Sequence, residues 1–210
     1  ILNNKILTPK SIIMKIDDLD VNKVIEIKKK FKKFIIKPNN SGSSFGIQIV
    51  ENKIQFEKFL EDINIFKTKF SSHKKFIVEE FIKGKELTVS TINFSNKIEA
   101  LGVTEIKHDK SFFDYQSKYS KGLAKHILPA KITKKNYEKC LNLAIRAHSL
   151  LGCKSIARTD FILNTNNNKI YFLETNSQPG LTSVSLLPEQ AKFKKISFPE
   201  IILNIIQNTT

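Results

Sequence analysis

The sequence has few of the residues that would indicate a disulfide-rich or membrane-spanning protein. Its 210 residues include two cysteines, Cys140 and Cys153, which form neither a metal motif nor a disulfide framework. No apolar run approaches the roughly 18–20 residues that span a bilayer, and the first residues lack the apolar stretch of a secretory signal. We therefore expect a cytoplasmic protein with no membrane partner. Because residue 1 is not methionine, we also expect part of a longer chain.

Arginine is scarce, although the net charge is +15. Of 35 basic residues only Arg146 and Arg158 are arginine, and the lysines are spread along the chain. Without an arginine-rich patch or interleaved stacking aromatics, we expect no specific nucleic-acid site. Arg146 lies in a helical pattern and is predicted to be a surface residue. Arg158 lies beside acidic residues, where a planar guanidinium could hold a phosphate or an oxyanion.

The hydrophobic pattern predicts a mixed α and antiparallel β fold in two lobes, residues 1–82 and 83–210. Strands are predicted at 34–38, 47–50, 76–82, 86–93 and 97–106, and helices at 19–33, 53–66, 136–151 and 198–206. Residues 107–125 are polar and aromatic with little periodicity. Loops of that length are usually functional, so we expect a lid.

A predicted hairpin near the C-terminus brings four polar residues to one face. Asp160 and Glu174 are equidistant from residue 167, and so are Arg158 and Asn176. Paired residues on a hairpin point to the same side, with Cβ atoms roughly 4.5–5.5 Å apart. Carboxylate and amide oxygens are hard ligands that suit Mg²⁺. The hairpin therefore predicts a metal–phosphate site, although a solvated acidic pair neutralised by lysines is the ordinary alternative.

Two further segments suggest a nucleotide. The loop from Lys37 to Gly46 contains serines and glycines whose N–H and hydroxyl groups could surround a phosphate, although a plain hairpin loop has the same composition. The strand that ends near Ile82 could pair its backbone with an adenine edge. Glu79 could accept a hydrogen bond from the exocyclic amine and Glu86 from the ribose hydroxyls.

Together these segments resemble the ATP-grasp fold, and within it the D-alanine–D-alanine ligase family. Four segments carry the resemblance, in the order found in the family: Lys37-Pro-Asn-Asn-Ser-Gly-Ser-Ser-Phe-Gly46, Glu79-Glu-Phe-Ile-Lys-Gly-Lys-Glu-Leu-Thr-Val89, Phe113-Asp-Tyr-Gln-Ser-Lys-Tyr119 and Leu173-Glu-Thr-Asn-Ser-Gln-Pro-Gly-Leu-Thr-Ser183. The resemblance implies an α+β fold in which two lobes with largely antiparallel sheets clamp ATP.

The resemblance also implies a role for each site residue. ATP would be bound by Lys37, Glu79, Phe81, Ile82, Glu86 and Lys118, with the two lysines on its phosphates. Two Mg²⁺ ions, or Mn²⁺, would be bound by Asp160, Glu174 and Asn176. The oxyanion would be held by Arg158 and the Gly180 N–H, and the carboxylate of the second D-alanine by Ser185 and Leu186. Ser43 and Tyr119 would belong to a network that orients the substrates.

The implied activity is ATP-dependent ligation of two D-alanines through a D-alanyl phosphate, for peptidoglycan synthesis. Ser41, Gln178 and Val184 depart from the usual family pattern, and the family's N-terminal domain has no counterpart in these residues. Three alternatives therefore stay open. The chain could belong to another ATP-grasp carboxylate–amine ligase, to a non-catalytic nucleotide-binding fragment, or to a basic nucleic-acid-binding module. The sequence does not indicate an oligomeric state.

Overall fold

The structure is a computed structural model that describes residues 1, 5–39, 46–73, 75–95, 97–108 and 124–209. The chain divides into two compact units. The small unit comprises the described residues within 9–82 and 108–124, and the large unit those within 1–8, 83–107 and 125–210. The first eight residues belong to the large unit because Ile6 is 1% exposed in its core and the Leu7 carbonyl accepts a hydrogen bond from Phe172 N–H.

The small unit contains an antiparallel sheet with the strand order β1-β4-β2-β3. Its strands are β1 (Ser11–Lys15), β2 (Phe34–Pro38), β3 (Gln48–Val50) and β4 (Lys75–Glu80). The predicted strand at 34–38 is confirmed. The strand β1 was not predicted, because its sequence, Ser-Ile-Ile-Met-Lys, does not alternate between apolar and polar residues, although its burial does.

Three helices accompany this sheet: α1 (Val21–Phe31), α2 (Lys53–Glu61) and α3 (Ile63–Lys69). The Asp20 carboxylate caps α1 by accepting a hydrogen bond from Lys23 N–H at 2.7 Å. Asn52 and Gln55 form a capping box at the start of α2. The prediction of one helix over 53–66 is wrong, because Asp62 leaves helical geometry (φ −87°, ψ 2°) and separates α2 from α3.

Phenylalanine fills the core of the small unit. Phe34 and Phe76 are wholly buried on the paired strands β2 and β4, and the rings of Phe59, Phe66 and Phe70 pack from the helices. Phe66 contacts Phe76 with a ring-centroid distance of 5.3 Å. The alternation of buried residues along β2 turns Ile35 and Lys37 to the opposite face of the sheet.

The large unit contains a second sheet with the order β7-β6-β5-β8-β9. Its strands are β5 (Gly84–Phe94), β6 (Lys97–His108), β7 (Ala124–Ile127), β8 (Ile156–Asn164) and β9 (Ile170–Asn176). The central strand β5 pairs antiparallel with β6 and with β8, and β8 pairs antiparallel with β9. Residues along β5 therefore alternate between two faces of a sheet that extends on both sides of it.

The two faces of this sheet are covered differently. Helix α4 (Lys134–Leu150) packs on one face, where its Cys140 and Leu143 share a core with Leu87 and Val89. On the other face, α5 (Leu186–Phe193) and α6 (Phe198–Thr209) pack around Ile92 at one end of β5. The sequence pattern did not predict α5. None of the described helices has the length and apolar character needed to cross a membrane.

The buried His148 of α4 couples the stability of the large unit to pH. Its side chain is wholly buried, and its Nδ1 lies 2.8 Å from Thr91 Oγ1. Burial lowers the pKa of the imidazole below 6.5, although a hydrogen bond with the Cys153 backbone opposes this shift. In the unfolded chain the pKa returns to about 6.5. At pH values between the folded and the unfolded pKa, the unfolded state therefore binds more protons than the folded state. The free energy of unfolding falls as the pH drops through this range.

We expect the free energy of unfolding to decrease between about pH 7.5 and about pH 5.5, and His148→Gln to remove much of this decrease. Urea unfolding at several pH values measures the difference between the two proteins. His73→Gln, in the small unit, is the control and should keep the pH dependence of the wild type. The assignment to His148 is wrong if wild type and His148→Gln lose the same free energy on acidification.

Candidate active site

A row of polar residues crosses one face of the large-unit sheet. We call it the polar row; its members are Glu86, Thr88 and Ser90 on β5, Arg158 and Asp160 on β8, and Glu174 and Asn176 on β9. Thr88 pairs with Asp160, which in turn pairs with Glu174, so these side chains project to the same side. Helix α4 covers the opposite face. The polar row therefore gathers the charges of Glu86, Arg158, Asp160 and Glu174 on the face away from α4.

The pairing predicted for the hairpin is confirmed where the polar residues lie. Asp160 pairs with Glu174, and Arg158 pairs with Asn176. Nearer the turn the register is shifted, because Phe161 pairs with Phe172 and a bulge leaves Leu173 without a direct partner. The prediction of a hairpin symmetrical about residue 167 is thus wrong for the half beside the turn. The bulge at Leu173 accommodates this one-residue shift, so the polar pairs keep the predicted register.

Arg158 and Asp160 form an ion pair with two hydrogen bonds. Arg158 Nε donates to Asp160 Oδ1 at 3.0 Å, and Nη2 donates to Oδ2 at 2.9 Å. The buried Thr88 hydroxyl also donates to Oδ1, at 2.6 Å. The two charged side chains are 21% and 19% exposed, so water screens them less than a surface pair. These contacts fix the orientation of the Asp160 carboxylate.

The donor set of the polar row fits a hard divalent cation. Three carboxylates, those of Glu86, Asp160 and Glu174, share the row with the single guanidinium of Arg158. Glu174 and Asn176 are exposed. No group of three His, Cys, Asp or Glu side chains in the described part of the chain is arranged for a metal ion. The predicted set instead combines two carboxylates with an amide oxygen, which is chemistry suited to Mg²⁺.

The loop after β9 leads to the start of α5. Asn176 Oδ1 accepts a hydrogen bond from Gln178 N–H at 2.9 Å, which turns the chain after the strand. Ser185 is the N-cap of α5, and Leu186 is its first residue. The Ser185 hydroxyl accepts from Thr182 N–H at 3.1 Å and lies 2.8 Å from Thr182 Oγ1. The N-terminus of a helix favours anions.

In the small unit, the structure brings two predicted nucleotide residues together. Lys37 Nζ donates to Glu79 Oε1 at 2.8 Å, and their side chains are 19% and 10% exposed. Lys37 pairs with Ile77 and Ile35 with Glu79, so both charged residues lie on the face away from the phenylalanine core. This contact orients both side chains, and two Lys37 N–H donors and Glu79 Oε2 stay outside it.

The segment predicted to bind adenine follows β4. Phe81 N–H donates to the Lys33 carbonyl at 3.1 Å, so Phe81 can offer a ligand its carbonyl rather than its N–H. Ile82 is half-buried and is the last residue before the large unit begins. Glu86 lies on β5, two residues before Thr88 in the polar row.

Three predicted site residues, Ser43, Lys118 and Tyr119, lie outside the described residues. The described end of the serine–glycine loop is Gly46, which has φ +75°. A Cβ atom at Gly46 would lie 2.7 Å from the Phe70 ring and 2.9 Å from the Pro38 ring. Backbone conformation and space therefore both require glycine where the loop returns to the sheet.

Sequence reasoning missed two residues that support the polar row. Thr88 alternates in phase with Glu86, but its link to Asp160 depends on the pairing of β5 with β8, more than seventy residues along the chain. Gln190 contacts the backbone of β5 from α5, a helix that the pattern did not predict. The local sequence carries no signal for either contact.

A small substitution at Gly180 should reveal the close packing of this loop. A Cβ atom there would lie 2.7 Å from Ser185 Oγ and 3.5 Å from Ser185 Cβ. We expect Gly180→Ala to cost about 1 kcal/mol of the free energy of unfolding, because Ser185 Oγ must rotate away and lose its contacts with Thr182. In a Ser185→Ala background the clash disappears, so the same change should cost at least about 0.5 kcal/mol less. Urea unfolding of the four proteins tests this, and strictly additive effects would contradict it.

Comparisons with known proteins agree on one family. The family described as D-ala D-ala ligase C-terminus matches residues 8–207. The chain is 38% identical over 212 residues to the D-alanine–D-alanine ligase of Pelagibacter ubique (strain HTCC1062), covering 100% of this chain and 65% of that protein. It is 38% identical over 203 residues to the ligase of Wolbachia pipientis wMel, covering 96% and 60%. The chain thus spans 60–65% of the length of these curated relatives.

Solved structures agree with this result. D-alanyl-alanine synthetase A from Vibrio cholerae has a TM-score of 0.80 at 24% identity, covering 98% of this chain and 61% of that chain, and shows the fold. D-alanine–D-alanine ligase from Bacillus anthracis complexed with ATP has a TM-score of 0.71 at 25% identity, covering 99% and 62%. The predicted α+β, ATP-grasp fold is confirmed. The chain belongs to the D-alanine–D-alanine ligase family and corresponds to its C-terminal part.

Proposed function

We propose that the chain is the nucleotide- and metal-binding part of a ligase that joins two D-alanines at the expense of ATP, in the cytoplasm, for peptidoglycan synthesis. The polar row carries the proposal. Arg158, Asp160 and Glu174 share one sheet face, and α5, which begins at Leu186, packs on that same face. An anion site beside a site for a hard cation is what phosphoryl and acyl transfer require.

Each residue predicted to bind ATP would contact one part of the nucleotide. In the small unit, Lys37 would bind the phosphates, Glu79 the exocyclic amine of adenine, and Phe81 and Ile82 the base through their backbone. A relative of similar structure has been solved with ATP, which supports this nucleotide. Glu86 of the large unit would accept hydrogen bonds from the ribose, and Lys118, which lies outside the described residues, would bind the phosphates. ATP binding would replace the contact between Lys37 and Glu79.

Asp160, Glu174 and Asn176 would hold two Mg²⁺ ions, or Mn²⁺, near the phosphates. When bound, the metal supplies charge neutralisation for the transferred phosphoryl group. Arg158 and the Gly180 N–H would stabilise the oxyanion that develops at the acyl carbon. The hydrogen bond from Thr88 to Asp160 would keep that carboxylate in position for this role.

The reaction would proceed in two steps. The carboxylate of the first D-alanine attacks the γ-phosphorus of ATP, which gives D-alanyl phosphate and ADP. The amine of the second D-alanine then attacks the acyl carbon, loses a proton and expels phosphate, which leaves the dipeptide. Ser185 and Leu186 would hold the second carboxylate, and Ser43 and Tyr119 would complete the network around the nucleophile. The protein contributes orientation and charge neutralisation.

The metal assignment can be tested by binding to this 210-residue chain. We expect Glu174→Ala to weaken metal-dependent ATP binding by at least about tenfold, because the substitution removes a ligand. Glu138→Ala is the control, since Glu138 lies on α4, which packs on the opposite face of the sheet. Calorimetry with ATP at several Mg²⁺ concentrations measures the effect. Equal affinities of Glu174→Ala and Glu138→Ala would refute the metal role.

The reaction is tested with the protein encoded by the longest open reading frame that contains this chain. We expect phosphate release from ATP to depend on D-alanine and to match the amount of D-alanyl-D-alanine formed. Mass spectrometry of the product separates the alternatives, because another amine or hydroxy acid would give a different product mass. Phosphate release that is independent of D-alanine, or ATP binding without any turnover, would contradict the proposal.

A further inference from the structure

Gln190 of α5 is wholly buried, and the hydrogen bonds of its side-chain amide are made to the central sheet. Its Oε1 accepts from Ser90 N–H at 2.7 Å. Its Nε2 donates to the Thr88 carbonyl at 3.2 Å and to Thr104 Oγ1 at 2.9 Å. One side chain of a helix thus satisfies two backbone groups of β5 and a hydroxyl of β6.

These contacts lie where the sheet ladder is irregular. The register of β5 with β6 shifts between Ser90 and Thr91. Beside this shift the Gln190 amide accepts from Ser90 N–H and donates to the carbonyl of Thr88, two residues earlier on the same strand. An apolar side chain at this position would remove all three of these hydrogen bonds.

The same contacts connect two parts of the candidate site. Thr88 donates its hydroxyl to Asp160, and Ser90 pairs with Arg158 on β8. At the other end, Gln190 lies five residues after Ser185, the N-cap of α5. Gln190 therefore joins the strand that pairs with Arg158 and Asp160 to the helix whose N-cap is Ser185.

We propose that Gln190 is a positioning residue, which fixes the N-terminus of α5 relative to Arg158 and Asp160 and so sets where the second substrate lies. This inference rests on the proposed function, in which Ser185 and Leu186 hold the carboxylate of that substrate. The attacking amine must be held at a set distance from the acyl carbon, and small misplacements reduce the rate strongly. Loss of the Gln190 amide should therefore impair use of the second D-alanine and leave ATP binding unchanged.

The large unit offers a matched control in Asn204 of α6, a second buried amide that contacts β5. Asn204 Oδ1 accepts from the Ser155 hydroxyl at 2.9 Å, and its Nδ2 donates to the Asn93 carbonyl at 2.7 Å. Asn93 is near the end of β5, away from Thr88 and Asp160. Gln190→Met and Asn204→Leu each replace an amide with an apolar side chain of similar size, but only the first alters the link to the site.

The first test measures hydrogen exchange in the 210-residue chain and does not depend on activity. We expect Gln190→Met to increase exchange of the backbone amides at 181–187, and Asn204→Leu to leave those amides as in the wild type. Thr104→Val removes one of the three hydrogen bonds without changing Gln190, so it should give a smaller increase in the same region. Unchanged exchange at 181–187 in both Gln190→Met and Thr104→Val would overturn the inference.

The second test measures the steady-state kinetics of the protein encoded by the longest open reading frame that contains this chain. We expect Gln190→Met to lower kcat/KM for the second D-alanine on the order of tenfold, with the KM for ATP unchanged. Asn204→Leu should leave both values near those of the wild type. Equal losses in the two variants, or a parallel rise in the KM for ATP, would show a merely structural role. A wild type without D-alanine-dependent turnover would instead refute the proposed function, and the exchange measurements would still decide the role of Gln190.

Discussion

The register in which β8 pairs with its neighbours is the constraint on which the candidate site depends. Side chains alternate between faces with a period of two, so a slip of one residue would turn Asp160 into the α4 core and Phe161 out of it. The core itself opposes that slip, because Phe161 is 1% exposed and its ring packs against Phe172. Hydrophobic burial on one face thus fixes the position of charge on the other. The bulge at Leu173 lets the turn keep its own geometry without disturbing the pair of Asp160 and Glu174.

Partly buried charges in both units are held by neighbouring protein groups. The pair of Lys37 with Glu79 and the pair of Arg158 with Asp160 have exposures between 10% and 21%. Removing one partner from such a pair leaves an uncompensated charge, whereas exchanging it for a ligand of the same sign does not. The net affinity of any ligand that displaced one of these partners would therefore be the difference between its own contacts and those that it replaced. The same contacts keep the side chains oriented, which limits the ordering that a ligand must impose.

The sequence allowed prediction of features that depend on nearby residues. The pairing of Asp160 with Glu174 follows from a short hairpin, and β2 follows from a run of apolar residues ended by Pro38. Features that depend on distant residues were not predictable in this way. The contact of Thr88 with Asp160 needs the pairing of β5 with β8, and the break at Asp62 needs the packing of two short helices. The roles of the site residues were predicted from the family resemblance. The structure shows which residues contact them.

The polar row also imposes a cost on the fold that its surroundings offset. A sheet face that carries Glu86, Thr88 and Asp160 cannot be covered by an apolar helix without leaving polar groups unpaired. The helices of that face, α5 and α6, instead pack at the end marked by Ile92. Where α5 reaches the polar part, it does so with the amide of Gln190 rather than with an apolar side chain. The boundary between core and candidate site therefore lies within β5 itself, between Ser90 and Ile92. Each side chain near that boundary must match its partner in polarity as well as in shape.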